Sequence, residues 1–320
     1  MISVVEHNLI PEGTAVHADL DDLATALYVA IDDHLQIHPH LAPERPEIGI
    51  APKLSDAELV TLAVMQALLG FTSEARWLRH AHRHLAAMFP ALPATVSAYN
   101  KRLRKAAGLM QHLISAFATS CPSAHDDVWL VDSTPVECGR SRETAKRSDL
   151  AGWAGYGYCA SHSRFFWGLR LHLIATPSGL PIAFALTNPK IDERDVAADM
   201  ITIDPRLHHP GPHTLIADKG YRRATFEHEL AHAGITLIRP ALKGEQPRPL
   251  QRFLKPFRQI IESVNQTFKA QLDLERHGGR TPNGVWARVL QRLLALTASI
   301  WHNETTHQPG PARSLLAYDH

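Results

Sequence analysis

The run VWLVDSTPVEC, residues 128–138, marks a change of texture in this 320-residue chain. Four apolar residues lead to Asp132, and short apolar runs with β-branched residues, bounded by Gly, Pro, Asn or Asp, read as buried strands. Toward the C-terminus the same pattern predicts strands at Val128–Asp132, Trp167–Ala175, Pro181–Leu186, Thr214–Asp218 and Thr236–Arg239. Ser178-Gly179 supplies a hairpin turn between the second and the third. Helical patterns fill the gaps at Arg194–Ile201, Ala224–Ala233 and Pro256–Arg276, so this part is mixed α and β. Gly139 to Ser163, rich in Ser, Arg, Gly and Tyr, reads as a loop.

Upstream of Pro122 no strand is needed. Leu23, Ala24, Leu27, Tyr28 and Ile31 recur at helical spacing. Ser55 stands as N-cap with Glu58 three residues on, and Leu54 and Leu59 are placed as a hydrophobic staple, so a helix is expected over Asp56–Leu69, stopped by Gly70. Ser73–Met88 and Ser97–Ser120 follow as helices, separated by Pro90 and Pro93. The expected organisation is an N-terminal extension (1–18), an α-helical domain (19–123), a mixed domain (124–305) and a C-terminal tail (306–320).

Composition bounds the function more weakly. At 45% hydrophobic and 20% charged residues the chain has the makings of a packed core. Its longest apolar run, Val285 to Ile300, is interrupted by Arg288, Gln291 and Arg292, which excludes a bilayer span. The first fifteen residues carry Glu6 and His7 and lack the features of a secretory signal. Three cysteines, Cys121, Cys138 and Cys159, match neither a disulfide framework nor a zinc knuckle. A cytoplasmic protein is therefore expected. The net charge of +1 hides an uneven distribution: from Arg239 to Arg292 there are eleven Lys or Arg against four acids, a local net of +7. That stretch reads either as a surface for a phosphate backbone or as a solvated helical face.

Two aspartates occupy places where a site forms. Ligands collect where neighbouring parallel strands diverge at their carboxyl ends, and Asp132 and Asp218 each close an apolar strand. If those strands are adjacent and parallel, the carboxylates face one another, and a divalent cation with oxygen ligands relieves their repulsion. Taken singly, each is also explained as a turn or cap residue. In the helix Pro256–Arg276, Ile261, Val264, Phe268 and Leu272 make the packed face, while Arg258, Glu262 and Lys269 project together beside it. Arg258 and Glu262 also satisfy the spacing of an i,i+4 ion pair.

Three segments carry a family resemblance: VDSTPVEC around Asp132, ADKGY around Asp218 and RQIIESVNQTFK around Glu262. In this order, with 86 residues from Asp132 to Asp218 and 44 more to Glu262, they resemble the DDE transposases of bacterial insertion sequences. The family's signature around the glutamate places Tyr, Arg, Glu and Lys at fixed intervals. Arg258, Glu262 and Lys269 match it, and Lys255 stands at the tyrosine position. LSDAELVTLAVMQALLG and SAYNKRLRKAAGL are similar to the N-terminal part of the insertion-sequence 982 group.

The resemblance implies a ribonuclease-H-like catalytic domain, preceded here by the α-helical domain. It implies that Asp132, Asp218 and Glu262 are catalytic and hold two divalent ions, Mg²⁺ or Mn²⁺. Two such ions stabilise the attacking and the leaving oxygen of an in-line phosphoryl displacement. The implied partners are the terminal inverted repeats and target DNA, and the implied assembly is a homodimer. In that setting a water cuts at the transposon end to free a 3′-hydroxyl, which then attacks a target phosphate. Arg258 and Lys269 would position phosphate. Lys219, Arg222 and Arg223 are read either as further phosphate contacts or as solvated surface. Lys101, Arg102, Arg104 and Lys105, in YNKRLRK, form a candidate DNA-facing helix, with a solvated basic face as the alternative. The competing functions are a nuclease on the same scaffold without strand transfer, and an inactive DNA-binding derivative.

Overall fold

A computed structural model describes residues 19–45, 51–139, 141–159, 163–208, 211–246, 248, 250–307 and 310–318. The expected extension 1–18 lies outside them. Helix α1 (Leu20–Ile37) is capped by the Asp19 carboxylate, which accepts from the Asp22 amide. Helix α2 (Asp56–Leu68) starts with both bonds of the capping box: Glu58 N–H donates to Ser55 Oγ at 3.0 Å, and Ser55 N–H donates to Glu58 Oε2 at 2.6 Å. Helix α3 (Glu74–His84) follows, shorter than the expected span. The single helix expected over Ser97–Ser120 is two, α4 (Val96–Lys105) and α5 (Ala107–Ser120). They part at Ala106, just before Gly108, a weak helix former.

The sheet begins at β1 (Val128–Gly139), which runs seven residues past the expected end at Asp132. The segment expected as a loop holds a short helix, α6 (Arg142–Arg147), and a strand, β2 (Gly155–Cys159). Strands β3 (Arg164–Ala175) and β4 (Pro181–Thr187) form the expected hairpin around Gly179. Helix α7 (Glu193–Ile203), β5 (His213–Ile216), α8 (Ala224–His232) and β6 (Ile235–Ile238) then alternate. β3 is the hub: β1 lies antiparallel along one edge, while β2 and β4 pair with its first and second halves. Beyond β1 the sheet turns parallel, through β5 to β6, giving the order β2-β3-β1-β5-β6 with β4 also on β3.

Helix α9 (Leu254–Gln266) packs against β1 and ends in a π-helical turn, Thr267–Gln271, so the long helix expected to Arg276 is regular only to Gln266. Asp273, in the left-handed region at φ 49°, ends the helical path. Helix α10 (Pro282–Thr305) packs on α5, α2 and α1, and also reaches β4. Its interior place explains the apolar run that is too interrupted for a membrane: a helix apolar nearly all round is buried. Arg288, Gln291 and Arg292 lie on its buried surface with the aliphatic residues. No helix among the described residues is long and apolar enough to cross a membrane. Because α10 comes after the sheet in sequence yet packs among the N-terminal helices, one apolar core runs through both parts.

The basic stretch from Arg239 to Arg292 does not form one surface. Arg239 is buried, paired with Glu227 and Glu245 at 3.0 Å each, and Arg248 pairs with the same two acids. Arg288 is buried against Glu74 and Asn100, and Arg292 is buried beside it. Four of the eleven cations are thus taken up by internal structure, a division that a linear charge sum does not show.

Candidate active site

Asp132 does not end its strand; it sits within β1. What opens the site is the end of its neighbour. The parallel pairing of β1 with β5 stops at Leu130↔Ile216, so Asp132 and Asp218 each stand two residues past the last pair. The two aspartates are therefore level with each other where β5 leaves the sheet. Asp218 accepts the Gly220 amide at 2.6 Å, which fixes the turn that follows it. Glu262 comes from α9 and is 62% exposed, with Arg258 Nη2 3.6 Å from its Oε1.

These side chains line one cleft of about 450 Å³, together with Ser133, Arg170, Glu193, Asn265 and Lys269. Burial, reinforced by the charges of Asp218 and Glu262, pushes the Asp132 carboxyl up to about 6, against the Ser133 amide and Lys269, which hold it down. Asp218 and Glu262 thus both act electrostatically on Asp132. Among the described residues, no three His, Cys, Asp or Glu side chains come close enough to hold one ion between them.

Four neighbours have roles that no sequence motif announces in full. Asn265 Nδ2 donates to Asp132 Oδ2 at 2.7 Å, while its own Oδ1 is buried without a partner. Tyr221 is fully buried, and burial first, then Asp132 and Asp218, raises its hydroxyl well above the usual phenol range. Arg170 forms an ion pair with Glu193, and both reach Ser133 Oγ, at 3.3 and 3.0 Å. A partial signal exists for the first two: Tyr221 closes ADKGY, and Asn265 lies one helical turn after Glu262. For Arg170 and Glu193 there is none, since their roles arise from strand pairing and from the start of α7.

The expected phosphate contacts divide. Arg258 and Lys269 line the cleft. Lys219 and Arg222 are both exposed beside Asp218, whereas Arg223 is paired with Asp195 and lies 3.8 Å from Asp192. Arg102 is committed elsewhere: it binds Asp56 at 2.7 Å and the carbonyls of Leu54 and Ser55, tying α4 to the start of α2. It is thus a structural cation, and not part of the exposed face formed by Lys101, Arg104 and Lys105.

Fold and cleft together define a mixed α/β protein with acids at the carboxyl end of a parallel strand pair and cations on the flanking helix. Residues 123–298, more than half of the chain, match the family described as the transposase DDE domain, and the chain belongs to that family. Among solved structures it is similar, at 8% identity and a TM-score of 0.41, to a piggyBac transposase in a synaptic complex with hairpin DNA, over 94% of this chain and 83% of that one. A search of curated proteins finds no match.

The family places the protein among enzymes of DNA transposition, which use divalent metal ions. The residues present fit such an ion. Their donors are hard carboxylate oxygens, Asp218 and Glu262 both push the Asp132 carboxyl up, and the orphaned Asn265 Oδ1 adds a buried acceptor beside them. Mg²⁺ keeps several waters and takes one or two carboxylates, so it does not require a closed cage.

Proposed function

We propose that this chain cleaves DNA at the ends of a mobile element and joins the freed 3′-hydroxyl to target DNA. Asp132, Asp218 and Glu262 are the catalytic ligands of two Mg²⁺ or Mn²⁺ ions. The observation that carries this reading is the level placement of Asp132 and Asp218 beyond the last β1–β5 pair, with Glu262 lining the same cleft. When bound, the ions supply Lewis acidity at the attacking and leaving oxygens.

The protein's own part is positioning. Asn265 holds one oxygen of Asp132 in place. Arg258 exchanges Glu262 for a DNA phosphate, freeing that carboxylate to turn toward the aspartates. Lys269 adds a point charge at the cleft wall, and Lys219 and Arg222 extend the cationic rim past Asp218. The strand order β4-β3-β1-β5-β6, three antiparallel strands followed by two parallel ones, supports a ribonuclease-H-like reading of residues 124–305. We assign residues 19–123 to end recognition and dimer formation, residues 306–320 to a tail, and the sequence motifs to the insertion-sequence 982 group.

Asp132→Asn keeps the shape of the side chain and removes its charge. It should reduce Mg²⁺-dependent cleavage of the element's end to background while leaving DNA binding intact. Cleavage at the wild-type rate would overturn the assignment. A pre-cut end offered with target DNA separates joining from cutting alone: a product of joined strands identifies the transferase.

A further inference from the structure

A second cavity, also of about 450 Å³, lies between α4 and the first turn of α10 and is lined by Lys101, Arg104, Lys105, Thr281, Pro282 and Asn283. It shares no lining residue with the acid cleft. Its lining holds three cations and no acid. All three are exposed, and among the described residues none forms an ion pair; Lys105 Nζ donates only to the Glu44 carbonyl, at 3.2 Å.

The helix makes this arrangement by dividing its charges between two faces. Tyr99 and Leu103 are buried, and Arg102 turns to Asp56. Lys101, Arg104 and Lys105, spaced i, i+3 and i+4, are left together on the outer face. Like charges at this spacing repel, and an anion from outside the chain would relieve that repulsion. Arg104 also borders a smaller adjoining cavity of about 220 Å³ that brings in Arg280, along with Arg288 and Glu74, which pair with each other. Helix α10 begins at the same place with no acid in its first turn, and the positive end of a 24-residue helix adds to the attraction.

We infer that this cavity seats phosphates of a DNA backbone, at a subsite apart from the reacting phosphodiester. The inference rests on the reading of the protein as a DNA transposase. A concave surface with several exposed cations fits a chain of phosphates, and each phosphate neutralised releases condensed counterions.

The test is the salt dependence of binding to a linear DNA duplex, between about 50 and 200 mM salt. Wild type is compared with the triple variant Lys101→Ala/Arg104→Ala/Lys105→Ala, with Lys101→Glu alone, and with the charge-preserving exchange Lys101→Arg/Arg104→Lys/Lys105→Arg. The triple variant should bind more weakly, with a log–log slope shallower by about 0.9 for each phosphate that it no longer neutralises. Lys101→Glu should shift it the same way, and the charge-preserving variant should keep the wild-type slope. Unchanged slopes in the triple variant and in Lys101→Glu would overturn the inference. So would saturable binding of inorganic phosphate that is abolished in the triple variant while the DNA slope stays put, because the cavity would then be a small-anion site. If the slope falls as expected but wild type neither cuts nor joins DNA, the subsite stands and the proposed reaction fails. If cutting and joining occur with unchanged slopes, the reverse holds.

Discussion

Asn265 restrains one oxygen of Asp132 and has no partner for its own carbonyl oxygen, an arrangement that makes it a positioning residue. Partners that orient a metal ligand typically contribute 10–100-fold to affinity or activity. Asn265→Ala should therefore weaken Mn²⁺ binding, measured by calorimetry without DNA, by about 10–100-fold, with an unchanged melting temperature. Wild-type Mn²⁺ affinity in that variant would reduce Asn265 to a packing residue. The three acids are legible in the sequence because each lies in a short motif with its own local pattern. Asn265 lies within the third motif, but its role is not legible there, because a hydrogen bond across 133 residues has no local signature.

Among the elements, the β1–β3 pair decides the shape of the cleft wall. Its register shifts between Glu137 and Gly139, where β1 carries one extra residue opposite β3. Gly168 lies at this bulge, and a Cβ there would fall 2.1 Å from the Val136 carbonyl oxygen and 2.9 Å from the Cys138 nitrogen. Both obstacles are backbone, so neither can swing aside. Gly168→Ala should destabilise the protein by about 2 kcal/mol or more, read as a lower urea midpoint at unchanged m-value. An unaltered midpoint would show that the strands separate without penalty.

The edge strand β2 shows the complementary case. Its GYGYC sequence reads as a loop because alternating glycines carry no apolar face. Those glycines are required by packing from elsewhere: a Cβ on Gly157 would fall 2.6 Å from both Phe166 and Pro189.

At the scale of the molecule, buried imidazoles tie the stability to pH. His277 links the turn before α10 to β1: its Nε2 donates to the Glu137 carbonyl at 3.2 Å, and its Nδ1 accepts the Gly279 amide at 3.0 Å. Burial first, then Arg292, lowers its pKa to about 4 from an ordinary 6.5, against the opposing effect of the Glu137 bond. The folded state thus binds this proton less readily than the unfolded one. The contribution is fully present above pH 6.5 and disappears as the pH falls toward 4. Its full removal is worth roughly 3 kcal/mol. The urea midpoint of wild type should fall more between pH 7 and 4.5 than that of His277→Asn, a comparison in which the opposite contribution of the raised Asp132 carboxyl cancels. Equal falls would mean that His277 titrates normally in the folded protein.

By itself the sequence determined the strand-and-helix alternation after Pro122, the capped start of α2, and the three acids with their intervals, because periodicity, caps and motifs are local properties of a chain. Only the tertiary structure decided that Asp132 becomes a site residue through the early end of β5 rather than of its own strand. The same holds for the charges: Arg102, Arg239, Arg288 and Arg292 are drawn into internal pairs or the core, whereas Lys101, Arg104 and Lys105 are left facing outward. Where a strand stops pairing and where a cation finds its acid both depend on segments distant in sequence meeting in space. No local pattern encodes that meeting.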